Sequence, residues 1–268
     1  MALGERIAAG VLRWREDDGL DNTVTWVQPP PGPGVWQPTA PTPPVDLVLT
    51  QVRPLAMRSV DQFRPPGPDA LNDPRYLGDL DEVRRLGRLD STERTAEQTA
   101  LARFWADQTA ALWGRTVRRI ITERGLNLGQ AARLLAIVWV STGDAGIACF
   151  DAKYHYLFWR PVQAIQVSDP TWQPLLNVNH PEYPSGHACL TGAVTAALAA
   201  YFGTDQVQYT VDSTTTGVTR AYPTFSAPLA EVKEVRIWSG LHFRHSTEDG
   251  ATVGQQAAGW ALRHHFSD

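Results

Sequence analysis

Apolar residues recur at helical spacing over most of this chain, the signature of helices that bury one stripe. Residues 4–16 form the first such stretch and predict a short amphipathic helix, stopped by the Asp17-Asp18-Gly19 turn. The periodicity then lapses. QPPPGPGVWQPTAPTPP, from Gln28 to Pro44, is rich in proline and predicts extended backbone. Trp26 and Trp36 make this segment a strap packed on the surface of a domain, since a free linker rarely carries large aromatic side chains. QFRPPGPD, from Gln62 to Asp69, predicts a second irregular piece. The helical pattern returns at Tyr76. Ser91 or Thr92 offers a cap before an acidic first turn. Leu101, Phe104, Trp105, Ala111, Leu112, Val117 and Ile120 then carry a stripe that stops at Gly125. Asn127 to Val162 predicts a long helix ending at Arg160-Pro161, because the residue before a proline resists α geometry. Gly186 to Phe202 predicts another. Gln206 to Arg220 alternates β-branched and polar residues and predicts a hairpin or an irregular excursion. Ser226–Ser239 and Phe243–His265 predict the two closing helices. No repeat of solenoid period is present. The expectation is a single all-α domain over residues 1–268.

Composition narrows the function classes. A net charge of −4 gives no electrostatic case for nucleic acid as a partner. Ten tryptophans are many for this length and predict a thick helical core or a lined pocket, with core the simpler reading. Two cysteines, Cys149 and Cys189, imply no disulfide framework. The N-terminal stretch carries charges throughout and has no apolar signal-peptide core. No run reaches the roughly 18 uninterrupted apolar residues of a membrane span. A soluble protein with no membrane partner is the expectation, cytoplasmic by default and secreted if a signal has been removed.

Three stretches carry candidate chemistry. In KYHYLFWRP, Lys153 and Arg160 stand two helical turns apart, so one helix would present both cations on one face. A solvated basic edge is the ordinary reading. However, the residues between them are mostly aromatic, with no acidic residue at i+3 or i+4, and buried cations need a counter-anion. In HPEYPSGHA, Ser185 is a good N-cap for the helix that follows, and a capped helix is explanation enough. The same features also make an anion site: free N–H groups at a helix start, the positive dipole end, and Gly186 allowing close approach beside His187. In VRIWSGLHFRH, Arg236 and His242 are six apart, with Gly240 as a break that lets the end of one helix and the start of the next converge. Alone, they are an ordinary arginine and a turn histidine.

Together the three stretches read K-x6-R-P, then P-S-G-H, then R-x5-H. In this order they resemble the superfamily of vanadium-dependent haloperoxidases and type 2 phosphatidic-acid/acid phosphatases. DAGIACFDAKYHYLFWRP, HPEYPSGHA and RIWSGLHFR resemble the haloperoxidase branch more than the membrane phosphatases. The resemblance is strongest over residues 127–254 and implies a compact all-α bundle. It implies that Lys153, Arg160 and Arg236 bind the equatorial oxygens of vanadate, with Ser185 and the Gly186 N–H adding hydrogen bonds. His242 is implied as the ligand to vanadium and His187 as the acid–base group. Lys153 is further implied to polarise hydrogen peroxide for attack by halide, giving hypohalous acid.

The same resemblance implies an alternative, phosphomonoester hydrolysis in which His242 attacks phosphorus through a phospho-histidine and His187 protonates the leaving oxygen. Phosphate or sulfate would occupy the cradle equally well. The halide pocket would be formed by His180, Phe150 and Trp159. The position five before the serine is aromatic in chloride-oxidising relatives and commonly His in bromide-preferring ones. His180 therefore implies bromide or iodide, with a small organic molecule as a further substrate class.

The chain departs from the family pattern in three places. R-x5-H normally continues x3-D, where the aspartate holds the loop or orients the histidine; here that position is Ser246, with Asp249 the candidate substitute. Val235 replaces the usual Ser. A common N-terminal helical pair is missing, and a homo-oligomer would cover the surface it leaves. A helical scaffold with a relic site, and a metal cluster of His242, His245, His264 and His265, are the remaining classes.

Overall fold

A computed structural model describes residues 2–39 and 44–267; residues 40–43 of the proline-rich strap lie outside the described residues. Among the described residues the fold is mainly helical, with one antiparallel hairpin, β1 (Tyr209–Asp212) and β2 (Thr219–Tyr222). Helix α1 (Ala2–Arg15) buries none of its side chains. Helix α2 (Pro74–Leu86) begins at proline and is capped by Asp73, whose carboxylate accepts from Arg75 N.

The cap expected at Ser91 or Thr92 lies further on. Helix α3 (Ala96–Phe104) starts from a capping box made by Thr95 and Gln98. The Ser91 hydroxyl instead accepts from Glu93 N and Arg94 N in the preceding turn. The apolar stripe from Leu101 to Ile120 is also divided. Helix α4 (Thr109–Glu123) restarts from Gln108, whose side chain accepts from Ala111 N. The break between α3 and α4 is held open by Asp107, which accepts from Arg115 and from the backbone and hydroxyl of Thr214.

Helix α5 (Leu128–Tyr156) ends four residues before Arg160, not at Arg160-Pro161. Leu157 adopts a left-handed conformation at φ 50°, and its N–H closes back to Lys153 O. The strap is the physical cause of this early end. Trp36 N donates to Leu157 O, Trp159 N donates to Gly34 O, and Val35 bridges Phe158. Residues 157–159 are thus drawn into an extended pairing, and Trp36 is fully buried beneath it. Pro161 then opens a short helix, α6 (Pro161–Gln166), with Arg160 as its N-cap.

Helices α7 (Gly186–Phe202), α8 (Ala227–Trp238) and α9 (Arg244–His265) complete the chain. Helices α5, α7 and α9 pack on one another at the centre. By length and composition α5 could cross a membrane, but its apolar residues are mostly buried in this packing. The α7–α9 approach is close enough to require glycine. A Cβ on Gly254 would fall 2.0 Å from the Cys189 carbonyl oxygen, and one on Gly250 would fall 2.6 Å from that of Ser185. Trp105 and Trp113 are fully buried in the largest apolar cluster, where α3, α4, α7 and α8 meet.

Candidate functional site

Lys153 and Arg160 do not share a helix face, because α5 has ended between them. They converge by gripping the same extended segment, residues 180–184. Lys153 Nζ donates to the carbonyls of Pro181 and Glu182, each at 2.9 Å, and to that of Pro184. Arg160 donates to His180 O at 2.9 Å, Pro181 O at 3.1 Å and Leu241 O at 2.7 Å. Its Nη1 also stands 3.1 Å from His242 Nε2. Guanidinium nitrogens only donate, so Nε2 of His242 is the acceptor. A new bond at Nε2 requires this contact to open.

Ser185, at the N-cap of α7, makes no capping hydrogen bond. Its buried hydroxyl, the Nε2 of His187 and the Nε of Arg236 have no partner among protein atoms. Orphaned buried polar atoms are costly and mark places where a ligand completes the pairing. Arg236 comes from the end of α8, and Gly240 at φ 74° turns the chain so that His242 faces it. Gly186, His187, Arg236 and His242 line a cavity of about 380 Å³, with His180 and Phe150 in the same wall.

Electrostatics match this geometry. Desolvation by burial pushes Lys153 down to about 8, Arg160 to about 10 and Arg236 to about 9. Burial, with the nearby cations, also holds His180, His187 and His242 well below the usual imidazole range. These imidazoles are therefore neutral at pH 7. The backbones of Trp105 and Asp107 partly oppose the downward shift of His187, and its buried Nε2 has no partner among protein atoms.

The acidic partner absent from the helix around Lys153 comes from the segment that both cations grip. Glu182 is fully buried. Its Oε1 lies 2.8 Å from His242 Nδ1 and accepts from Phe243 N at 3.0 Å. Burial raises its carboxyl to about 7, while Arg160 and Lys153 oppose that shift. Ser246 Oγ is 3.4 Å from the same Nδ1. Asp249 does not take the aspartate's place beside His242: it accepts from Tyr183 Oη and pairs with His245 at 3.1 Å. Sequence reasoning missed Glu182. The available signal was an acidic residue inside HPEYPSGH itself, three residues before Ser185.

His180 Nδ1 is 2.9 Å from Arg160 Nη2, and its ring centroid is 5.7 Å from that of Phe150. Trp159 instead packs with Tyr76, Phe158 and Ile165 in a separate apolar cluster, away from the cavity wall. The four histidines considered as a metal cluster do not gather: His245 stacks on Tyr183 and His264 on Trp260. Among the described residues, no group of three or more His, Cys, Asp or Glu is placed to hold a metal ion.

The fold is a helical bundle in which Arg236, the start of α7, His180, His187 and His242 line one cavity. The chain belongs to the family described as the VCPO second helical-bundle domain, whose model matches residues 133–267. It is 33% identical over 147 residues to vanadium chloroperoxidase of Curvularia inaequalis, covering 42% of this chain and 24% of that protein. The match thus takes in about a quarter of that relative's length. A crystal structure of a bacterial vanadium-dependent iodoperoxidase superposes with a TM-score of 0.87 at 26% identity, covering 98% of this chain and 67% of that one. The holo form of a bacterial vanadium-dependent chloroperoxidase superposes at 0.75 with 17% identity, covering 96% and 70%, and shares the fold.

Proposed function

We propose that this chain is a vanadate-dependent haloperoxidase that oxidises bromide or iodide with hydrogen peroxide to hypohalous acid. The observation that carries the reading is a set of unpaired buried atoms: His187 Nε2 and Arg236 Nε, from two residues that line one cavity, and the hydroxyl of Ser185, next in sequence to the cavity residue Gly186. The hydroxyl and Arg236 Nε donate and His187 Nε2 accepts a proton, which is the complement of a protonated oxyanion. Arg160, Arg236 and Lys153 supply positive charge, and the Gly186 N–H opens α7 toward the same point. The site therefore fits vanadate: Ser185, Gly186, His187 and Arg236 would hold it with open partners, Lys153 and Arg160 would add positive charge while their own donors stay on protein atoms, and the Nε2 of His242 would be the ligand to vanadium.

When bound, vanadate would supply Lewis-acid activation of hydrogen peroxide without change of its oxidation state. His187, with its Nε2 free of protein partners, would take up and return a proton at that atom. Lys153, whose three N–H groups donate to the carbonyls of Pro181, Glu182 and Pro184, would act on the peroxide through its positive charge, and directly only once one of those bonds opened. His180 and Phe150 form the wall against which the halide approaches. The relatives include chloroperoxidases as well as an iodoperoxidase, so the preference for bromide or iodide rests on His180 alone.

A paired assay tests this reading. With vanadate and peroxide added, bromination of monochlorodimedone is expected, and hydrolysis of p-nitrophenyl phosphate is expected to be absent or slow. Phosphatase turnover without bromination would assign the same cradle to phosphomonoesters, with His242 as nucleophile. Phosphate or sulfate is expected to compete with vanadate in either case.

A further inference from the structure

We infer that Glu182 is a positioning residue for His242. Its carboxylate holds the Nδ1–H of the ring and so keeps the Nε2 lone pair aimed into the oxyanion cradle. This inference rests on the vanadate-binding reading of that cradle.

His242 is buried at 1% exposure and contacts one group at each ring nitrogen that decides its tautomer. At Nε2 stands Arg160 Nη1, 3.1 Å away, which can only donate. Nε2 therefore carries the lone pair, and the single proton of the neutral ring is on Nδ1. That proton points at Glu182 Oε1, 2.8 Å away. The carboxylate cannot swing aside, because Phe243 N, the next residue of the same loop, donates to the same oxygen. The Glu182 backbone is fixed on both sides as well. Its N donates to Phe158 O, and its O accepts from Lys153 Nζ. The ring is thus clamped in plane by a residue tied to both α5 and the α8–α9 loop. A carboxylate that accepts from a ligating imidazole fixes its orientation and raises its basicity.

Position 246 is one helical turn after His242, and its side chain already approaches Nδ1 to 3.4 Å. An aspartate there would reach the ring from within α9. In this chain the position is serine, and the acidic group arrives instead from residue 182, across 60 residues of sequence. The two sites are alternative origins for one charge. Occupation of both would place two carboxylates on one proton, which is unfavourable in a buried site. Glu182 and Ser246 therefore belong together as a pair.

The test compares vanadate, which bonds to Nε2, with inorganic phosphate, which uses only the surrounding donors. Affinities are measured by calorimetry on the full chain, and the His242 ring is followed by ¹⁵N NMR. Glu182→Ala is expected to weaken vanadate by roughly 10–100-fold and phosphate by less than about threefold. Adding Ser246→Asp to Glu182→Ala is expected to recover most of the vanadate affinity. Glu182→Gln keeps an acceptor but not the charge, so an intermediate, vanadate-selective loss is expected; this variant carries the test if Glu182→Ala fails to fold. Equal losses for both anions, or no loss for vanadate, would overturn the positioning role.

If the wild type binds neither anion, the oxyanion reading of the site fails instead. The clamp is then judged on the ligand-free ring alone. The Nδ1 resonance of His242 must shift in Glu182→Gln, and an unmoved resonance would overturn the inference.

Discussion

His180 is where a single side chain is expected to set halide choice. Its ring faces Phe150 across the cavity wall and is held by Arg160. A polar ring here keeps the pocket hydrated, which disfavours chloride, the hardest of the three halides to oxidise. Chloride turnover is expected to be weak in the wild type, and His180→Phe is expected to raise the chloride-to-bromide ratio. Steady-state rates with the three halides at matched concentration measure it; equal chloride and bromide rates in the wild type would remove His180 from this role.

The two buried arginines should separate in a different experiment. Arg160 is bound to protein carbonyls, although burial, only partly opposed by Glu182, depresses its guanidinium. Arg160→Ala is therefore expected to cost about 1–3 kcal/mol of stability, since it leaves buried carbonyls without a donor. Arg236 Nε is unpaired, and burial depresses its guanidinium. Arg236→Ala is expected to lower vanadate affinity while leaving the unfolding temperature of the free protein unchanged or higher. A large loss of stability in Arg236→Ala would mean that its role is structural.

Residue identity made the cradle legible, because Lys153, Arg160, Ser185, His187, Arg236 and His242 fall within three short stretches of distinctive spacing. Glu182 was not legible by the same route. Its partner His242 is far away in sequence, and no local pattern reports which tautomer a histidine needs.

Among the elements, α7 and α9 show how packing sets the site. Gly250 lets α9 approach the carbonyl of Ser185, and Ser185 N donates to Ser246 O at 3.0 Å. The PSGH turn is thereby fixed against the loop that carries His242. Gly254 sits one turn further along, against Cys189. Both Gly250→Ala and Gly254→Ala are expected to destabilise the fold by about 1–3 kcal/mol through overpacking. Only Gly250→Ala is expected to weaken oxyanion binding as well, because the displaced backbone is that of Ser185. Chemical denaturation together with vanadate calorimetry on both variants separates the two effects. Loss of affinity in Gly254→Ala alone would contradict this assignment.

Helices α7, α8 and α9 were readable to within a residue or two, since α7 is apolar on nearly every face, α8 and α9 bury one side, and a glycine or a change of pattern marks their ends. The end of α5 was not. Arg160-Pro161 is a valid local stop, but Leu157 is pulled into left-handed geometry earlier by pairing with Gly34, Val35 and Trp36. The break between α3 and α4 escaped for a similar reason, since both helices turn the same apolar stripe toward the core and Asp107 finds its partners in distant residues.

For the molecule as a whole, gathering neutral histidines and cations in one core should govern stability against pH. His180, His187 and His242 have folded pKa values well below 6.5. Below pH 6.5 the unfolded chain takes up protons at these rings and the folded chain does not, so stability falls as pH falls. Glu182 works in the opposite direction. Its folded pKa of about 7 lies above its ordinary 4.5, so between those values the folded state holds the extra proton. One carboxyl opposes three imidazoles, and the net expectation is a falling unfolding temperature from pH 7 to pH 5. Lys153, held at about 8 rather than 10.5, adds stability as pH rises through that upper window. A bound oxyanion changes the balance, because it offers the buried cations a counter-charge and stabilises by mass action, by about 2.7 kcal/mol at 100 times its Kd. Thermal unfolding across this range, with and without vanadate, is therefore expected to show an acid-side loss that vanadate reduces. An unfolding temperature that held steady down to pH 5 in the ligand-free protein would mean that the three rings are charged in the folded state. It would also remove the neutral Nε2 lone pairs on which His187 and His242 depend.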